Sequence, residues 1–127
     1  MGLAEKRQQK EFEVNVLPML VSNLKTTVGK DVPVEIEWEP FWDGYGHCIE
    51  GMASYAPEAI LMAMKNICAD DMGKEALQGA LNKVQLVHNP SAVTKIAFEG
   101  GVLLIKHFWG SGSIQSHWIE TEIMKKL

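Results

Sequence analysis

The chain is poor in cysteine: Cys48 and Cys68 are the only two among 127 residues. Two thiols with no secretory context give no disulfide framework, so both are expected to be free. Dense basic clusters are missing as well. Twelve Lys and Arg residues face sixteen acids, for a net charge of −4, and the most basic run, Lys6-Arg7-Gln8-Gln9-Lys10, is followed directly by Glu11 and Glu13. That balance is wrong for tracking a phosphate backbone, so no nucleic-acid partner is expected. Nor does any uninterrupted apolar stretch reach the ~20 residues of a membrane span. Glu5, Lys6 and Arg7 stand where a signal peptide would need its apolar core. After Met1-Gly2, Lys6 occupies the place where a myristoylation signal wants Ser or Thr. A cytoplasmic protein without membrane contact is the expectation.

Motifs are equally scarce. His47, His88, His107 and His117 form no His-x-His or His-x3-His pair, and the cysteines no Cys-x2-Cys, so neither a metal nor a cofactor is expected. No serine lies in a Gly-x-Ser-x-Gly elbow, and Gly110-Ser111-Gly112-Ser113 lacks the lysine and spacing of a P-loop.

What remains is an ordinary globular composition, 46% hydrophobic and 22% charged, of a length suited to a single domain over residues 1–127. Phe12, Val16, Leu20 and Leu24 recur at helical spacing, predicting a helix over residues 4–29, kinked near Pro18 and ended by Gly29. Val34, Ile36 and Trp38 alternate with Glu35, Glu37 and Glu39, as in a strand with one wet face. A central helix is expected from Pro57 through Ala69, with residues 47–53 either a strand or irregular, and another helix after an Asp71 cap. From residue 84 the period becomes two. Three runs, separated by Asn89-Pro90-Ser91 and Glu99-Gly100-Gly101, predict an antiparallel three-stranded meander. A last helix, capped by Ser113, carries Ile114, Trp118, Ile119 and Ile123.

The expected fold class is therefore α+β: an antiparallel sheet of four to five strands, including the C-terminal meander, covered by N-terminal, central and C-terminal helices. That element order is similar to the order in profilin-like and roadblock-like domains. No motif is shared, so neither a family nor a function follows from it.

Chemistry is concentrated in Trp38-Glu39-Pro40-Phe41-Trp42-Asp43-Gly44-Tyr45-Gly46-His47-Cys48, whose composition suits an irregular loop lining a cleft. A thiolate is a strong nucleophile once its pKa is lowered, which makes Cys48 the candidate nucleophile. In an extended segment His47 would point away from it, so the base must come from elsewhere. His107 qualifies, because Lys106 marks the wet face of its strand and puts Leu103, Ile105, His107 and Trp109 on the covered one. Trp42 and Tyr45 could stack on a substrate. Two functions compete on these grounds. One is a thiol-dependent hydrolase cleaving a small activated ester through a Cys48–His107 dyad. An engineered origin would account for such a dyad in a motif-free chain, and the Lys125-Lys126-Leu127 ending is compatible with the first residue of a vector-encoded tag. The other is a non-catalytic domain that binds a protein or small ligand, self-association as a homodimer included, through the aromatic loop or an uncovered sheet face. Cys68, on an apolar helical face, is expected to be core.

Overall fold

The N-terminal stripe folds as its spacing predicts, burying Phe12, Leu20, Leu24 and Val28. The computed structural model describes residues 2–91, 93–110 and 112–127; Met1 of the Met1-Gly2 pair and Ser111 of the expected Gly/Ser turn lie outside them. Helix α1 (Leu3–Glu11) runs through a π-helical turn (Phe12–Val16) into α2 (Leu17–Val28). Where a kink is expected, Pro18 follows that turn, in the first turn of α2. Proline has no N–H to give the preceding turn, and the Leu17 N–H reaches one residue further back than usual, to the Phe12 carbonyl. Gly29, left-handed at φ 89°, closes α2 with its N–H on the Lys25 carbonyl at 2.8 Å.

Strand β1 (Val34–Glu37) keeps Glu35 and Glu37 wet but ends before Trp38 and Glu39, where a 3-10 turn (Glu39–Phe41) forms and leads toward α3 (Cys48–Ile67). The central helix thus begins nine residues before Pro57, and residues 48–53 are neither strand nor irregular. Cys48, Ile49, Met52, Ala56, Ala59, Ile60, Ala63 and Met64 are all buried. An apolar face continuous across the proline outweighs the single hydrogen bond the ring removes. Helix α4 (Asp71–Ala80) is capped one residue earlier than expected, by Asp70, whose Oδ1 accepts the Gly73 N–H at 2.6 Å. Helix α5 (Ser116–Met124) starts three residues beyond Ser113, and among the described residues no side chain caps it.

Strands β2 (Lys83–His88), β3 (Lys95–Glu99) and β4 (Val102–His107) lie where period two predicts them. Their pairing does not match the prediction. The sheet has four strands in the order β1-β2-β4-β3, with β1, β2 and β4 mutually parallel and β3 antiparallel to β4. The fold is α+β with a mixed sheet, neither fully antiparallel nor a meander. Glu99-Gly100-Gly101-Val102 is a genuine tight hairpin, its two glycines at φ 59° and 81°. The connection from β2 is longer and carries β3 past one strand position, and the hairpin then returns β4 into the gap.

One sheet face, bearing Val34, Val84, Leu86, His88, Phe98, Leu103, Ile105 and His107, is buried. Helices α2, α3 and α5 pack together over it, and α5 also reaches β3. The opposite face, except at buried Val87, is wet, with Lys83 on Glu35 at 3.1 Å and Gln85 on Glu37 at 3.2 Å. Among the described residues no helix is long and apolar enough to cross a membrane.

Candidate functional site

Three parallel strands end on the same edge of the sheet, where ligand sites of such sheets characteristically form. β2 ends on His88 and β4 on His107, directly alongside in register. The aromatic segment leaves β1 at that edge, and Thr94, preceding β3, is there too.

His88 is 1% exposed and lies among aromatic rings, with centroids 4.8 Å from Phe41, 4.9 Å from Tyr45 and 5.0 Å from Phe108. Its Nδ1 accepts the Trp109 backbone N–H at 3.4 Å, which puts the ring proton on Nε2. Nε2 has no hydrogen-bond partner among the described residues. Burial first, then the neighbouring His107 and His47, push the His88 pKa down to about 4, so the imidazole is neutral at ordinary pH.

Cys48 is not the partly exposed loop residue expected: it is 0% exposed, the first residue of α3. Its Sγ lies 3.4 Å from His47 Nε2. His47 does not point away, because its backbone has already turned helical, at φ −62° and ψ −23°. Burial pushes the Cys48 thiol pKa up, against the lowering effect of a hydrogen bond from the Gly110 backbone. A protonated thiol donating to His47 fits that balance.

His107 lies on the covered face as alternation predicts and is 6% exposed. Its Nε2 is 2.9 Å from the Gly112 carbonyl and therefore donates. Nδ1 then accepts from the Thr94 hydroxyl at 2.8 Å. Both ring nitrogens are occupied, and neither is directed at Cys48. Trp42, 40% exposed, is tied to α1 by its indole N–H on Gln9 Oε1 at 3.2 Å. Tyr45 is half-buried and packs edge-on against Phe108 at 5.8 Å. Of the four expected site residues, Tyr45 and His107 adjoin His88.

No family model, curated protein or solved structure matches this chain.

A neutral N–H donor in an apolar shell can orient an acceptor, whereas a buried protonated thiol is a poor nucleophile. Among the described residues no three His, Cys, Asp or Glu side chains are placed to hold a metal. Sequence reasoning weighed His88 only as a metal ligand and passed over Phe41 and Phe108 as site residues. Their convergence follows from parallel register, which side-chain alternation does not carry.

Proposed function

We propose that this protein is a non-catalytic binding domain that takes a small, uncharged, ring-sized ligand with a hydrogen-bond acceptor at the carboxyl ends of β1, β2 and β4. The observation that carries this reading is the His88 Nε2, without a hydrogen-bond partner among the described residues and buried among Phe41, Tyr45 and Phe108. An unmet buried donor costs about 1–3 kcal/mol, which an acceptor atom at that position would recover. Tyr45 and Phe108, the half-exposed members of the shell, form its outer wall and would move aside for the ligand. The ring is neutral, so the complementary group is a carbonyl or similar oxygen in preference to a carboxylate. The ester-hydrolase reading through Cys48 and His107 has less support, given the burial of the sulfur and the engaged His107 ring.

Titration with benzamide, followed by NMR of the histidine side chains, tests the proposal. Saturable shifts are expected at His88, Tyr45 and Phe108, with toluene, which lacks the acceptor, binding about tenfold more weakly. In His88→Phe the two probes should bind alike. Benzamide that leaves the His88 ring unmoved at all soluble concentrations would defeat the reading. So would turnover of a chromogenic ester that is abolished in Cys48→Ala.

A further inference from the structure

Strand β3 forms one end of the sheet and, among the described residues, pairs only with β4. The Gly100-Gly101 turn makes Glu99 and Val102 a closing, hydrogen-bonded pair, so by alternation the ladder to β4 runs through Lys95, Ala97 and Glu99. The backbone groups of Ile96 and Phe98 therefore point outward from the sheet. Among the described residues no other backbone group bonds them. Helix α5 does not close this edge, for a groove of about 530 Å³, lined by Thr94, Lys95, Ile96, Trp118, Thr121 and Glu122, runs between them.

The charges on β3 select an occupant. Lys95 lies directly across from Lys106 of β4, a like-charge pair, and among the described residues neither has an ion-pair partner. Glu99, at the other end of β3, likewise has none. A second β3 laid antiparallel and centred on Ala97 sets Lys95 opposite Glu99 of the other copy, twice, and Ile96 opposite Phe98, twice. In that register the outward groups of Ile96 and Phe98 also meet as hydrogen-bonded pairs. Shifting by one residue loses the charge match. The other edge does not compete: β1 follows Pro33 and carries exposed Glu35 and Glu37, so two copies would bring acid toward acid.

We propose that two copies of this chain associate through β3, antiparallel about a two-fold axis at Ala97, to form one continuous eight-stranded sheet. The contact is isologous and closes on itself, giving dimers and no filament.

Light scattering after size exclusion, from micromolar to millimolar protein, tests it. The wild type is expected to show a concentration-dependent dimer. Lys95→Glu sets like charges opposite each other at both ends and should weaken the dimer about tenfold or more. Lys95→Glu with Glu99→Lys should restore it. Ile96→Pro replaces a partly buried edge residue and takes away an outward N–H but none from the ladder to β4, and should abolish dimerisation while circular dichroism stays native. If Lys95→Glu does not fold, Ala97→Cys in a Cys68→Ser background serves instead. Opposed non-hydrogen-bonded positions lie about 4.5 Å apart and oxidise to an intermolecular disulfide. A wild type that stays monomeric throughout, a dimer indifferent to Lys95→Glu and Ile96→Pro, or a failure of the double variant to recover each overturns the proposal. Binding of an unrelated strand peptide at β3 with no self-association does so too.

Discussion

A histidine kept neutral inside an aromatic shell makes the fold sensitive to acid. In the unfolded chain His88 takes a proton near the ordinary value of about 6.5, whereas in the fold it does so only near 4. Between those values the unfolded state binds more protons, so stability is intact above about 6.5 and is lost as pH falls toward 4. The depressed pKa corresponds to about 3 kcal/mol across the window. Urea unfolding of the wild type at successive pH values should show that acid slope, and His88→Phe should flatten it. Equal slopes in the two proteins would show that His88 does not govern acid stability. The covered position of His107 was legible in the alternation with Lys106. The burial of Cys48 was not, because the Gly and Pro content before it suggested a loop, while Cys48, Ile49 and Met52 already belong to the helical face of α3.

Packing at the level of elements turns on how closely they approach. Gly51 of α3 lies against the Trp109 backbone, and a Cβ there would collide with the Trp109 carbonyl oxygen. Gly79, in α4, has open space around the corresponding position. The same substitution should therefore act with opposite sign: Gly51→Ala destabilises by about 2 kcal/mol through overpacking, and Gly79→Ala stabilises by ~0.5 kcal/mol by restricting the unfolded chain. Chemical denaturation of both variants checks this, and a Gly51→Ala protein as stable as wild type would refute the close approach. Spacing located α2, α4 and the last three strands well. It misplaced the start of α3, since a proline that suits a first turn can also stand inside a helix whose buried face continues on both sides.

Across the whole molecule the order of strands decides which are central. β2 and β4 each have hydrogen-bonded neighbours on both sides, while β1 and β3 are edges. Hydrogen exchange should therefore find the slowest amides in β2 and β4, with Ile96 and Phe98 of β3 fast in dilute protein. A meander would put β3 at the centre, and slow exchange of Ile96 and Phe98 under dilute conditions would contradict the order found here. That order also creates the candidate site, because parallel β2 and β4 bring His88 and His107 side by side at one edge.

From the chain of residues alone came the α+β class, the span of most elements, the wet and covered faces of β1 and β4, and the tight Gly100-Gly101 turn. All of these depend on neighbours within a few positions, where side-chain period and backbone preference act. Which strands pair, in which direction, and which rings surround His88 was decided by tertiary structure. A strand's alternation is the same whether its neighbour runs parallel or antiparallel, and the choice is made by how the helices and the sheet bury one common core.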